Sequence, residues 1–161
     1  MRGFLPTALL AFVTYIIFTG SATPYDLTTG AIVALFTGAL MGRFLVKSDA
    51  KALNPVRWIW GAMYFVWYMV MAETKAHLDV MVRIITGNVN PGIVRVPISV
   101  KTDYAKTLVA NSITNTPGTV VVDVDENYFY VNWINVVSDD PEKAREEISA
   151  DFEKFAKRMF E

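Results

Sequence analysis

The chain of 161 residues contains no cysteine and a single histidine, His77. Without cysteine there are no disulfides, no thiolate nucleophile, no iron–sulfur ligation and no cysteine-based zinc site within the chain. One histidine excludes a multi-histidine metal centre. Residues 93–161 hold neither residue type, so no nucleophile–base triad can be assembled there. No glycine-rich phosphate loop occurs. Glutamine is also absent. With its many Glu and Lys, this composition leans towards a heat-adapted source, although seven methionines and several asparagines pull the other way.

Charge is missing from two long stretches, Phe4 to Thr19 and Leu27 to Gly42. A helix needs about 20 mainly apolar residues to cross the hydrocarbon, and both stretches reach that length once their ends are counted. Arg43 and Lys47 stand at the edge of the second, where long cations can snorkel to headgroups. The expected structure is a hairpin of helices over about 3–19 and 27–46. Turn formers at 20–26 join them, with Asp26 as N-cap of the second. Arg2 before an apolar core, followed by Gly20-Ser21-Ala22, has the look of a cleavable leader; the segment is read as a retained membrane anchor.

The second stretch carries Gly30, Ala34, Gly38 and Gly42, one small residue every fourth position. In lipid, helices associate through close backbone contact, and such a stripe is the expected contact face. Its partner could be the first helix or another protein. Arg43, Lys47, Lys51 and Arg57 make the next loop cationic, whereas residues 20–26 have no cation. The positive-inside rule then puts the 43–57 loop in the cytoplasm.

A third segment, about 56–85, starts behind Asn54-Pro55 and is aromatic, with Trp58, Trp60, Tyr64, Phe65, Trp67 and Tyr68. Its uncharged run ends at Glu73. Beyond it, Lys75, Asp79 and Arg83 follow at four-residue spacing, as do Glu73 and His77, opposite an apolar face of Leu78, Met81, Val82 and Ile85. One long helix is expected, apolar first and amphipathic later. It either spans the membrane or lies along the interface or against other subunits. The shorter apolar run and the Trp/Tyr content favour the second placement, which keeps the C-terminal part cytoplasmic.

After Gly87–Gly92 the pattern reads β-α-β-β-α. Strands are expected at Ile93–Val100, Thr119–Asp123 and Tyr128–Val136. A short helix should follow Thr102 or Asp103, and a last helix begins at Asp139-Asp140-Pro141 and buries Ala144, Ile148, Phe152, Phe155 and Met159. The fold class is therefore a membrane α-helical region of two to three hydrophobic helices, residues 1–88, plus a small soluble α+β domain, residues 93–161. The first 92 residues hold 7 Lys/Arg against 4 Asp/Glu, and the remainder 8 against 12. An acidic tail argues against nucleic-acid binding. Asp123, Asp125 and Glu126 cluster without the spacing of a calcium loop and read as a solvated turn.

Glu73, Lys75, His77, Asp79 and Arg83 are the candidate ion-path or interface charges. Ionisable groups at membrane depth are functional candidates, and the plainer alternative is a solvated helix end. No catalytic, cofactor-binding or metal-ligating residue is expected.

Several runs together carry a resemblance. They are Glu73-x-x-x-His77-x-Asp79-Val80, Asn90-Pro91-Gly92-Ile93-Val94-Arg95-Val96-Pro97, Lys101-Thr102-Asp103, Ala110-Asn111-Ser112-Ile113-Thr114-Asn115-Thr116-Pro117-Gly118-Thr119 and Tyr130-Val131-Asn132-Trp133-Ile134-Asn135-Val136. The chain resembles the E subunit of the Mrp-type multisubunit sodium/proton antiporters over nearly its whole length. It is similar also to the equivalent subunit of archaeal membrane-bound hydrogenases and sulfur reductases. The resemblance implies an accessory, non-enzymatic membrane subunit with no cofactor of its own. Its partners would be other membrane subunits and the lipid bilayer, and ion paths would run mostly through larger neighbours. The heat-adapted composition leans towards a respiratory host complex. A stand-alone antiporter, a self-sufficient transporter using Glu73 and a membrane-anchored binding module are the alternatives.

Overall fold

The computed structural model describes residues 2–161. They form two compact units, the first ending at Pro55 and the second running Val56–Glu161.

In the first unit, α1 (Phe4–Thr19) and α2 (Pro24–Leu45) form an antiparallel hairpin, followed by the single turn α3 (Asp49–Ala52). Gly20 stops α1 in the left-handed conformation (φ 62°), where its N–H still reaches the Ile16 carbonyl. α1 is thus 16 residues long, shorter than its sequence suggests. α2, with 22 residues, is the one helix among the described residues long and apolar enough to cross a membrane. It begins earlier than expected, because Pro24 supplies a preset first position. Its N-cap is Thr23, not Asp26: Thr23 Oγ1 accepts the Asp26 N–H at 3.3 Å. Asp26 closes the turn from inside, accepting the hydroxyls of Ser21 and Thr23 at 2.6 Å each. At the other end of the hairpin the Gly3 N–H donates to Asp49 Oδ1 at 2.6 Å.

The second unit opens with α4 (Pro55–Trp67), which runs through a π-helical turn (Tyr68–Ala72) into α5 (Glu73–Thr86). β1 (Gly92–Pro97), α6 (Asp103–Asn115), β2 (Thr119–Val124), β3 (Tyr128–Trp133), α7 (Pro141–Ile148) and α8 (Ala150–Phe160) follow. The sheet is antiparallel in the order β1-β3-β2, with Val94 opposite Val131 and Val96 opposite Phe129. Those four residues are buried and meet Ala105, Val109 and Ile113 of α6 and Ala144, Ile148, Phe152 and Ala156 of α7 and α8. Thr102 and Asp140 cap α6 and α7.

Three expectations change in this unit. β1 ends at Pro97, three residues short of the expected Val100. β3 ends at Trp133, and the chain beyond it instead brackets Asn90: the Val136 N–H donates to the Asn90 carbonyl at 2.8 Å and the Asn90 amide to the Val136 carbonyl at 2.9 Å. The last helix is broken at Ser149, whose φ of −122° leaves the helical region. The break lets α7 and α8 share a buried charge. Glu153, 2% exposed, accepts Arg145 Nη1 at 2.8 Å, Ser149 Oγ at 3.1 Å and the Ser99 hydroxyl from beyond β1. Lys157 joins through Ser99 at 2.9 Å.

α8 lies along α4. The Trp67 and Tyr64 rings sit 5.1 and 5.3 Å from that of Phe155, and Tyr68 and Trp67 each sit 6.0 Å from Phe152. Arg158 covers Trp60 at 4.3 Å, and Arg57 donates to the Met159 carbonyl at 3.0 Å. Tyr64 is buried and bonds Ser112 of α6. The third helix is therefore part of the lobe's core.

Removing one partner of a buried pair leaves the other uncompensated. Arg145→Ala, which strands Glu153, should cost the chain about 3 kcal/mol. Glu153→Gln, which keeps hydrogen bonds to Ser99 and Ser149, should cost clearly less. Denaturant unfolding followed by tryptophan fluorescence tests the order, and equal or inverted losses would refute it.

Candidate functional site

The four small residues of α2 are all buried, and they face α1. A Cβ on Gly38 would lie 2.9 Å from the Phe4 carbonyl oxygen and 3.0 Å from Ala8 Cβ. One on Gly42 would lie 2.8 Å from the Gly3 carbonyl and 2.9 Å from Phe4 N. At Gly30 the near atoms are the rings of Tyr15 and Phe12. The stripe is thus consumed within the hairpin, with backbone against backbone at one end and backbone against rings at the other.

The charged candidates of α5 do not converge. The π-helical turn ends with the Glu73 N–H donating five residues back to the Tyr68 carbonyl. Glu73 is 18% exposed, and its Oε2 stands 3.4 Å from Nδ1 of His77, which is 63% exposed. The same nitrogen hydrogen-bonds the Glu73 backbone carbonyl at 2.8 Å. Oε1 is buried without a partner. Asp79 and Arg83 form a two-pronged pair at 2.7 and 2.9 Å, and Arg83 also reaches the Asn88 carbonyl. Lys75 stays outside that pair and is exposed, so the expected three-member ladder is a pair. Among the described residues no three His, Asp or Glu side chains gather as metal ligands.

Asp125 organises the β2–β3 turn. Its Oδ1 accepts the N–H groups of Asn127 at 2.7 Å and Tyr128 at 2.6 Å, and its Oδ2 accepts the Tyr130 hydroxyl. The two backbone donors, with Tyr130 behind them, hold its carboxyl below the ordinary carboxylate range.

The seam between the third helix and the lobe is not evident in the sequence. Tyr64 meets Ser112, and Tyr68 meets Thr116 at 3.3 Å, across 48 positions of chain in each case. Its signal lay in two stripes of matching period: Trp60, Tyr64 and Trp67 on one helix, and Phe152, Phe155 and Met159 on the other. Nothing in one sequence says that two such stripes meet.

Fold and surfaces define a class: a helical hairpin with a membrane-length apolar helix, and a small antiparallel α+β lobe packed on the third helix. Comparison with known proteins narrows it. The family model described as Na+/H+ ion antiporter subunit matches residues 8–159. The chain is 32% identical over 132 residues to the E subunit of the Na(+)/H(+) antiporter of Alkalihalophilus pseudofirmus, covering 80% of each. It superposes with a TM-score of 0.88 and 31% identity on a chain of the membrane-bound sulfane sulfur reductase, an archaeal respiratory membrane complex, over 99% of this chain and 100% of that one. The chain belongs to the E-subunit family of Na+/H+ antiporters.

These geometries set the cost of substitutions in both units. Gly42→Ala meets backbone, so it should loosen the hairpin by about 1–3 kcal/mol, the usual cost of overpacking. Gly30→Ala meets rings that can swing and should cost less. Thermal unfolding in detergent reads the difference. For Asp125 the folded pKa is depressed, so its contribution is present above the ordinary value near 4 and is lost as pH falls through the lower folded value. Asp125→Asn should flatten the thermal stability of the chain between about pH 5 and pH 2; an unchanged acid slope would exclude this role.

Proposed function

We infer that this chain is an accessory, non-catalytic subunit of a Mrp-type Na+/H+ antiporter module within an energy-converting respiratory complex, a membrane-bound hydrogenase or sulfur reductase. There it supports assembly and couples ion translocation to its neighbours. The observation that carries this reading is the full-length likeness to a chain of the sulfane sulfur reductase. A stand-alone Na+/H+ antiporter is the second reading, favoured by the A. pseudofirmus relative, whose similarity covers less of the chain.

In this reading residues 1–88 are the membrane region and residues 93–161 a cytoplasmic domain. The first two helices cross the bilayer, with the short α1 carried by its packing on α2. The third lies at the cytoplasmic interface. Support comes from what covers it. If α4 spanned, α8 would be drawn along its aromatic face into the hydrocarbon with Lys154, Lys157 and Arg158. Insertion scales charge about 2.5–3.5 kcal/mol for each such cation at the bilayer centre. The opposite face of α4, with Trp58, Ile59, Met63, Phe65 and Val66, is exposed and uncharged, as an in-plane helix requires. The stripe Gly30, Ala34, Gly38, Gly42 acts as the hairpin's packing face, and Glu73, Lys75, His77, Asp79 and Arg83 as interface charges beside neighbouring subunits.

Deleting the chain from its host should collapse the complex or abolish its sodium-dependent transport. A fully assembled, fully active complex without it would end this reading. Because the chain has no cysteine, a single Asp139→Cys can be labelled with an impermeant maleimide. Labelling of inverted but not of right-side-out vesicles is expected. The subunits that co-purify in mild detergent distinguish the respiratory host from the stand-alone exchanger.

A further inference from the structure

The α1–α2 hairpin has a second seam beside the glycine stripe. It is an open groove walled by Thr7, Ala11, Thr14 and Tyr15 of α1 and by Val33 and Thr37 of α2. The walls are aliphatic and aromatic except for three threonines, and those three differ from every other threonine of the unit. Thr28 and Thr29 return their hydroxyls to the Pro24 and Tyr25 carbonyls, Thr19 to that of Ile16, and Thr23 to Asp26. Thr7 Oγ1 is buried with no partner, on a residue 4% exposed. Thr14 and Thr37 likewise make no side-chain hydrogen bond among the described residues.

A hydroxyl in hydrocarbon without a partner is costly, and a threonine on a helix has its own carbonyl four residues back as a ready remedy. The threonines outside the groove take a local partner, and the three lining it do not. Small residues spaced as Thr7, Ala11 and Thr14 also let another helix approach closely, with hydroxyls bonding across the interface. An acyl chain would fill the groove but could neither donate nor accept a hydrogen bond.

We propose that this groove is the docking site for a transmembrane helix of a neighbouring subunit, whose polar side chains or backbone carbonyls receive the hydroxyls of Thr14 and Thr37, the two that are reachable from outside the hairpin. The assignment rests on the reading of the chain as a subunit of a larger membrane complex. It adds the surface through which the hairpin is held there. The glycine stripe closes the hairpin on itself, and the threonine groove faces outward.

The absence of native cysteine makes a direct test possible. Thr14→Cys, Thr37→Cys and, on the opposite side of α2, Ile32→Cys are each placed in the chain within the assembled complex and labelled with benzophenone maleimide. On illumination, the two groove positions should cross-link to the same neighbouring subunit, and Ile32→Cys should not. Lipid adducts alone from the groove positions, or equal protein cross-linking from Ile32→Cys, would overturn the assignment. The hydroxyl is tested separately. Thr14→Val with Thr37→Val should lower retention of the chain during a mild detergent wash by roughly three- to tenfold, in line with interhelical hydrogen bonds in membranes. The double Ser variant should restore it. Equal retention of the Val and Ser variants would overturn the hydrogen-bonding role. If the unmodified chain co-purifies with no neighbouring subunit, both the functional reading and the groove fall. If it does co-purify and the groove finds only lipid, the groove alone falls.

Discussion

The clasp between α4 and α8 is the contact on which the second unit depends. A lobe of some 70 residues sits near the size at which one core barely supports a fold. Its sheet is small, and its inner face offers Val94, Val96, Phe129 and Val131 as buried residues. Tyr64, Trp67 and Tyr68 add ring surface against Phe152 and Phe155, and each such pair contributes about 0.5–1.5 kcal/mol beyond its buried area. Phenol hydroxyls that would otherwise be stranded are met by Ser112 and Thr116. The third helix is thus a structural member of the lobe, and the unit boundary falls at Val56.

The first unit solves a different problem. Between α1 and α2 there is little to gain from excluding water if lipid surrounds them, so contact itself must hold the helices. Gly38 and Gly42 remove side chains where the backbone of α1 comes closest, and the hydrogen bond from Gly3 to Asp49 fixes the base of the hairpin. Its large aliphatic and aromatic side chains point outward instead, with Phe18, Ile17, Ile32 and Phe36 all widely exposed. One chain therefore carries two packing chemistries, close backbone contact in the first unit and ring burial in the second.

Much of this was legible from residues alone, because the signals were local. Gaps in charge located the helices, Pro and Asp located caps, and alternation located the strands. Even the C-terminal stripe of Ala144, Ile148, Phe152, Phe155 and Met159 reads directly, although Ser149 splits the helix that carries it. That split was hidden because its cause is a carboxylate of α8 gathering donors from α7, from Ser149 at the break and from Ser99 beyond β1. The N-cap was misplaced for a related reason: Asp26 and Thr23 bond each other, and only geometry shows which oxygen serves the helix N–H groups. The stripe on α2 was visible as a pattern, but its partner was not. The three idle threonines could not be seen at all, since a hydroxyl's partner is a fact of conformation.

The π-helical turn explains why one helix can serve both the lobe and the charged end. Residues four apart on an α-helix drift by about 40° per step. A lobe-facing stripe begun at Tyr64 would, after four steps, have rotated by roughly 160° at Val80, away from the lobe. The wider turn at Tyr68–Ala72 takes back a large part of that rotation. Val80 accordingly still approaches Gly118, and Ala72 and Ala76 stay half-buried. The correction has a local consequence at Glu73. As the first residue after the turn, it points partly towards the seam, with one carboxylate oxygen buried, while Lys75, His77 and Asp79 are exposed. The burial of Glu73 is therefore a by-product of keeping the helix in phase with its lobe, with His77 one turn on and the Tyr68 hydroxyl as its polar neighbours.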